Sequence, residues 1–154
     1  MLPLPISPNI PRLYTAIAEW LSCIICLRLL RPRISTKKIA FISVGVLTLQ
    51  SVLFCLTPHL NNILWILFMT IALLIMWGFI YLCAEVNWRD AAYYAIRSFI
   101  IAEFAASCEW QFELLLINHE PPITSYTARI LVLVICYGIL FTIFDFVYYH
   151  YHPK

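Results

Sequence analysis

Five long apolar runs, separated by short polar stretches, are the feature that most restricts the fold of this 154-residue chain. Each run is roughly 18 to 30 residues long, enough for a helix to cross about 30 Å of hydrocarbon. Lipid cannot hydrogen-bond an open backbone, and the alternating pattern of a membrane β-barrel is missing from the sequence. We therefore predict an all-α, polytopic transmembrane bundle that forms one domain over residues 1–154. Its helices are predicted over about residues 12–30, 39–56, 63–83, 88–117 and 126–149.

Composition supports lipid as the main solvent of this chain. Hydrophobic residues make up 63% of it and charged residues 12%, whereas soluble domains carry about 25% charged residues. The formal net charge of +2 is small and scattered, which argues against a nucleic-acid partner. The three glycines are isolated from one another, so no glycine-rich phosphate-binding loop is present in the sequence.

The distribution of lysine and arginine predicts the orientation of the bundle. The linker after the first helix is strongly basic and should be cytoplasmic; its basic residues are Arg28, Arg31, Arg33, Lys37 and Lys38. This places the N-terminus and the loops near His59 and Pro121 outside, and the C-terminus inside. The first run has no basic lead-in and no small-residue cleavage site, so we expect a retained helix. The expected location is the plasma membrane, crossed several times.

The fourth helix differs from the others because polar residues interrupt it. Its charged residues are Arg89, Asp90, Arg97, Glu103, Glu109 and Glu113. Glu103, Ser107 and Gln111 form an i, i+4, i+8 row, and alanines beside the row allow close helix contact. We therefore expect the side of the helix that carries this row to face other helices or a wet cavity.

Ionised groups inside a membrane need partners, since each costs at least about 2.5 kcal/mol near the bilayer centre. We expect Arg97 to pair with Asp145 on the fifth helix, and Glu19 on the first helix to lie opposite Glu103. Ser107 and Gln111 would line the outward-open part of the same site, as ligand-binding or switch residues. Near the outer end of the fourth helix, Glu109 and Glu113 should be hydrated. The alternative is that these polar residues only fix helix register and contacts.

The sequence gives little support for a metal site, a cofactor site or a catalytic site. The six cysteines lie in or beside apolar runs and pack as small hydrophobes there. His150 and His152 have no acid or thiol near them in sequence to complete a metal site. No GxSxG or HExxH motif is present in the sequence. We expect no metal, no cofactor and no enzymatic activity from this chain.

One stretch resembles a known family. Residues 86–111 read VNWRDAAYYAIRSFIIAEFAASCEWQ, which is similar to the N-terminal membrane sensor region of GHKL-type sensor histidine kinases of Gram-positive bacteria, relatives of the pheromone-sensing and LytS-like sensors. The resemblance implies that seven residues are motif positions: Trp88, Asp90, Arg97, Glu103, Ser107, Glu109 and Trp110. Outside these 26 residues only the predicted helix layout agrees with that family.

The resemblance implies a sensor of a two-component signalling system. Such a sensor binds an extracellular or membrane-borne ligand and passes a helix shift to a cytoplasmic kinase module, usually as a homodimer that feeds a response-regulator pathway. No phosphoacceptor or ATP-binding motif is present in this sequence, so the kinase module would lie on another chain or beyond this one. The alternatives are a small membrane transporter subunit or substrate-capture component, a bundle with an assembly role only, and an intramembrane enzyme.

Overall fold

The computed structural model of the chain describes residues 12–55, 62–118 and 126–151. Within them it contains five helices and no strand, so the all-α prediction is confirmed. The helices are α1 (Arg12–Leu29), α2 (Thr36–Cys55), α3 (Asn62–Cys83), α4 (Trp88–Ile117) and α5 (Tyr126–Tyr151). The regions of the predicted outer loops, 56–61 and 119–125, lie outside the described residues, as do the N-terminal lead-in and His152.

Three of the described helices are long and apolar enough to cross a membrane, over residues 36–55, 63–83 and 127–147. Many of their large apolar side chains face outward: Phe41 is 83% exposed, Ile63 81% and Phe146 69%. Apolar surface on this scale is incompatible with water but suits lipid. The chain is therefore a membrane protein. That α1 and α4 also span the membrane stays a prediction, as does the orientation of the bundle.

Helix α2 begins at Thr36, three residues before the predicted start at residue 39. The prediction began the helix at its first apolar residue and left Lys37 and Lys38 in the linker. Lysine is a good helix former, and its charged end can reach water from the first turn of a membrane helix. Both lysines are exposed in the structure.

Helix α1 forms the centre of the bundle, because it contacts each of the other four described helices. Its buried side chains are mostly small, among them Ala16, Ala18, Ser22 and Cys23, and small residues let helix backbones approach closely in lipid. The other helices form an arc around α1 in the order α2, α3, α4, α5. Helix α5 contacts only α1 and α4, which leaves the arc open between α5 and α2.

Two linkers are joined by backbone hydrogen bonds at one end of the bundle. The Arg33 N–H donates to the carbonyl oxygen of Cys83 at 2.8 Å, and the Glu85 N–H donates to that of Arg31 at 2.8 Å. Together with a bridge between Pro32 and Ala84, these bonds fix the α1–α2 linker against the α3–α4 linker. Both linkers therefore lie at the same end of the bundle.

Candidate functional site

A buried carboxyl group and a buried amide meet at the contact between α1 and α2. Glu19 and Gln50 are both 0% exposed, and the Nε2 of Gln50 donates a hydrogen bond to Oε2 of Glu19 at 2.8 Å. A second bond between these helices runs from the Trp20 indole N–H to the carbonyl oxygen of Ser43, at 3.0 Å. The polar contact is thus built into close helix packing and does not face an open surface.

Glu103 on α4 is the third member of this group, which we call the central site (Glu19, Gln50 and Glu103). The Glu103 carboxyl lies close enough to Glu19 for the two to repel each other. Three oxygen atoms of the central site, the Oε1 atoms of its three residues, are buried without a hydrogen-bond partner among the described residues. The prediction that Glu19 lies opposite Glu103 agrees with this arrangement. Gln50 was not predicted.

A second polar group joins α4 to α5 at the end of the bundle away from the joined linkers, and we call it the outer joint (Glu109, Glu113 and Arg129). The Arg129 guanidinium forms an ion pair with Glu113, which is 1% exposed. Glu109, one turn before Glu113, is 0% exposed, and neither of its carboxyl oxygens has a hydrogen-bond partner within the described ranges. The outer joint therefore holds two buried carboxyl groups beside a single guanidinium.

The expectation that Glu109 and Glu113 are hydrated is wrong in this structure. The two glutamates continue a buried stripe on α4 with a spacing of three and four residues. The stripe consists of Ala91, Ala95, Ser98, Ala102, Ala105, Ala106, Glu109 and Glu113. Their nearness to the predicted end of the helix indicated water, but the position of each residue around the helix axis decided its burial.

Tyr137 on α5 lies between the two polar groups. Its side chain is 4% exposed, and its hydroxyl donates a hydrogen bond to the backbone oxygen of Tyr14 on α1 at 2.8 Å. It also interacts electrostatically with both Glu103 and Glu109. Tyr137 therefore connects α5 to α1 and lies within range of both the central site and the outer joint.

Ser107 and Gln111 lie on the exposed side of α4. Both side chains are exposed, on the same side of α4 as Ile100 and Phe104, roughly opposite the alanine stripe. The prediction was that this side of α4 faces other helices or a wet cavity. Ser107 and Gln111 do not pack against the other described helices, and a wet cavity on that side stays a prediction. The prediction ranked the faces of α4 by polarity, whereas small residues decide which face packs closely in lipid. Ligand binding by Ser107 and Gln111 stays a prediction.

Arg97 and Asp145 line different spaces. Arg97 lines a cavity of ≈ 30 Å³ with Ser22, Cys26 and Ser98, which is room for about one water molecule. Asp145 lines an open groove of ≈ 440 Å³ between α1 and α5, where Arg28 is the basic residue. Each residue is half-buried. Direct pairing between Arg97 and Asp145 stays a prediction.

The remaining residues of interest lie at the surface or within the apolar core. Trp88 and Asp90 are exposed at the start of α4, and Trp110 is half-buried. Cys23 and Cys26 are free and buried in α1, so their CxxC spacing faces the core. No group of three or more histidine, cysteine, aspartate or glutamate residues in the described part of the chain is arranged to hold a metal ion.

Gln50, Tyr137 and Arg129 are site residues that sequence reasoning missed. A signal for Gln50 was present, since a primary amide within an apolar run needs a hydrogen-bond partner in lipid. Tyr137 gave no comparable signal, because tyrosines occur throughout the chain and are common near membrane surfaces.

No family model, curated protein or solved structure matches this chain. The resemblance to sensor kinases therefore rests on residues 86–111 alone and stays a prediction.

Proposed function

We propose that this chain is the membrane input module of a two-component-type signalling system. In this proposal all five helices span the plasma membrane, with the N-terminus outside and the C-terminus in the cytoplasm. A ligand from the outside or from the membrane alters the contact between α4 and α5. The resulting shift of α5 passes to a cytoplasmic histidine kinase module, in a homodimer that feeds a response-regulator pathway.

The observation that carries the proposal is the way in which α5 is attached. It lies at the end of the helix arc, and its polar attachments include the Glu113–Arg129 ion pair and the Tyr137 hydroxyl bond. A helix held at the edge of a bundle by a few buried polar contacts can adopt a second position when those contacts change partner. A ligand drives such a change only if it interacts differently with the two positions.

The charges of the outer joint are unbalanced, so a ligand can interact differently with the two positions of α5. Arg129 can neutralise one carboxylate, and the Glu109 carboxyl lies beside the pair without a hydrogen-bond partner in the described structure. Exchange of the guanidinium between Glu113 and Glu109 would move α5 along α4 by up to about one helical turn, roughly 5.4 Å. A ligand that binds one of these carboxyls would favour one arrangement over the other.

A transporter subunit or substrate-capture component is the second candidate, and the central site favours it. Buried polar atoms that lie inside a helical bundle without partners are typical of substrate and ion pathways. This reading predicts saturable flux through vesicles that contain the chain alone, whereas the sensor reading predicts an effect on a kinase module.

The test is a fusion of a dimeric histidine-kinase output module after Lys154, assayed for autophosphorylation in vesicles. We expect Glu113→Gln and Arg129→Gln each to change output by roughly five-fold or more, the lower range of measured allosteric couplings. The double charge swap Glu113→Arg with Arg129→Glu should return output toward the native level, because it restores the ion pair. The variants Glu103→Gln and Arg97→Ala test the motif positions in the same assay.

The matched control is Glu85→Gln, which removes one carboxylate from the exposed α3–α4 linker. All variants are compared at equal membrane insertion and equal helix content. Flat output across the outer-joint variants, with the proteins folded, would remove the main support for a sensor. Sodium or substrate flux without any effect on output would favour the transporter.

A further inference from the structure

A groove between α1 and α5 follows the open side of the helix arc. It has a volume of ≈ 440 Å³, and residues of α1 and α5 line it. Helix α5 contacts neither α2 nor α3 in the described structure, so those helices do not cover the groove. The residues that α5 contributes all lie within the apolar span 127–147. The groove therefore meets lipid and not water over that length.

The walls of the groove are apolar up to one end, where each wall carries a charged residue. On α1 the lining side chains follow one face of the helix and are Ile17, Leu21, Ile25 and Arg28. On α5 a similar row is formed by Leu133, Tyr137, Phe141 and Asp145. The hydroxyl groups of Tyr137 and Thr142 in this wall already donate to backbone oxygens. The groove thus combines a long apolar surface with one positive and one negative group.

Both charged residues lie at the same end of the groove. The Glu113–Arg129 ion pair places the start of α5 beside the end of α4, and the joined linkers place the end of α1 beside the start of α4. Helices α1 and α5 therefore run in the same direction, with Arg28 and Asp145 toward the end that carries the linkers. From Ile17 to Arg28 the α1 wall is about 16 Å long, close to the roughly 15 Å of hydrocarbon in one leaflet.

The two charged groups are complementary to a small zwitterion. In the part of the chain that the structure describes, no ion pair joins Arg28 to Asp145. Arg97 has an interaction of its own and lines the separate cavity with Ser22 and Ser98, so it is not part of the groove. A guanidinium binds phosphate through parallel charge-assisted hydrogen bonds, and a carboxylate accepts such bonds from a primary ammonium. A lipid whose headgroup carries both groups side by side fits this end of the groove.

We propose that the groove between α1 and α5 binds one molecule of phosphatidylethanolamine from the surrounding leaflet. One acyl chain would lie along the apolar walls, the phosphate would bind Arg28, and the ammonium would donate to Asp145. Phosphatidylcholine has a quaternary ammonium without an N–H, and phosphatidylglycerol has no cation, so neither lipid satisfies the carboxylate. The site does not depend on the sensor proposal, because the outer joint lies at the opposite end of α5.

The experiment is native mass spectrometry of the full chain, released from detergent micelles that contain the three lipids with identical acyl chains. We expect one bound phosphatidylethanolamine per chain, held at least about tenfold more tightly than either of the other lipids, which is the effect of one charge-assisted hydrogen bond. Soluble glycerophosphoethanolamine should not compete at the same concentration, because it has no acyl chain to fill the groove.

Variants test the headgroup contacts and the groove separately. Asp145→Asn should abolish the preference for phosphatidylethanolamine, and Arg28→Gln should weaken its binding by about tenfold. Gly138 lines the groove, and a Cβ atom there would meet no other atom within 4 Å. Gly138→Leu should therefore fill the groove without a clash and reduce binding at least about tenfold. The matched control is Gly45→Leu on α2, which is equally unobstructed, lies outside the groove and should leave binding unchanged.

Three results would overturn the proposal. Equal retention of the three lipids by the native chain would indicate ordinary boundary lipid. A preference that survives both Asp145→Asn and Gly138→Leu would place the bound lipid elsewhere on the bundle. A dimer that added lipid does not dissociate, and that Gly138→Leu disrupts, would assign the groove to a second copy of the chain. If a charge variant does not fold, the lipid preference of the native chain and the two leucine variants still test the site.

Discussion

Buried polar side chains form several of the contacts that hold this bundle together. In lipid the hydrophobic effect does not drive helices against one another, so close packing and a few hydrogen bonds carry the association. Gln50, Glu19 and Tyr137 each form a contact between two helices from a fully or almost fully buried position. Removal of one such partner leaves the other exposed to an apolar environment, which costs more than the bond itself contributes.

The Tyr137 hydroxyl allows the stabilising effect of one buried hydrogen bond to be measured. Tyr137→Phe removes the bond to the Tyr14 carbonyl without changing the shape of the ring, and we expect a loss of about 1 kcal/mol in the free energy of unfolding. Tyr93→Phe is the matched control, since Tyr93 is 62% exposed on α4. Unfolding in mixed micelles with increasing denaturing detergent gives both values. Equal loss in the two variants would show that the buried hydroxyl has no special role.

At the scale of the helix, α4 shows where sequence reasoning succeeded and where it did not. Apolar run length predicted its bounds at residues 88 and 117, because backbone hydrogen bonds in lipid allow little besides a helix. The alanines Ala102, Ala105 and Ala106 were predicted to allow close contact and are all 0% exposed. The polar row was only partly on the side that faces the bundle, since Ser107 and Gln111 are exposed whereas Glu103 is half-buried.

The exposure of Ser107 and Gln111 has a physical cause that the sequence alone does not show. A helix in lipid can bury a small-residue face or a polar face, and α4 has both, about half a turn apart. Close backbone approach gained by the alanines competes with the cost of leaving Gln111 near lipid. The packing of α4 against α1 decides which face of α4 is buried. The buried residues of α1 are also small, for example Ala18 and Ser22.

Paired substitutions on the two faces of α4 test this assignment. Ala102→Leu inserts a large side chain into the α1–α4 contact and should destabilise the bundle by about 1–3 kcal/mol, the usual cost of overpacking. Ser107→Leu adds a similar side chain on the exposed face, so it should change the unfolding free energy by less than about 0.5 kcal/mol. The measurement is again detergent-induced unfolding. A large loss of unfolding free energy for Ser107→Leu and a small one for Ala102→Leu would show that the Ser107 face of α4 packs in the bundle and the Ala102 face does not.

At the scale of the whole molecule, the bundle is an open arc around α1. The two joined linkers close it at one end, whereas α5 contacts neither α2 nor α3 in the described structure. The end with the linkers is thus held by backbone bonds, and the edge formed by α5 is held by side chains. This asymmetry fits a module in which α5 moves while α1–α4 stay together, as the proposed function requires.

The side of the membrane to which a movement of α5 is transmitted depends on the orientation of the bundle in the membrane. The joined linkers and the neighbouring helix ends carry Arg31, Arg33 and the two lysines of the first turn of α2, all exposed. Positive residues near helix ends stay on the cytoplasmic side. Asn118, exposed just after the end of α4, would then face the outside, and the α5 end near His150 would face the cytoplasm.

Cysteine labelling tests this orientation. In a chain whose own cysteines are replaced by serine or alanine, Asn118→Cys should react with a membrane-impermeant maleimide in intact cells. Ser35→Cys, in the α1–α2 linker, should react only after the membrane is opened. Each variant serves as the control for the other, because both positions are exposed in the same fold. The opposite pattern would place the C-terminal end of α5 outside, and a cytoplasmic kinase module could then not receive the movement of that helix.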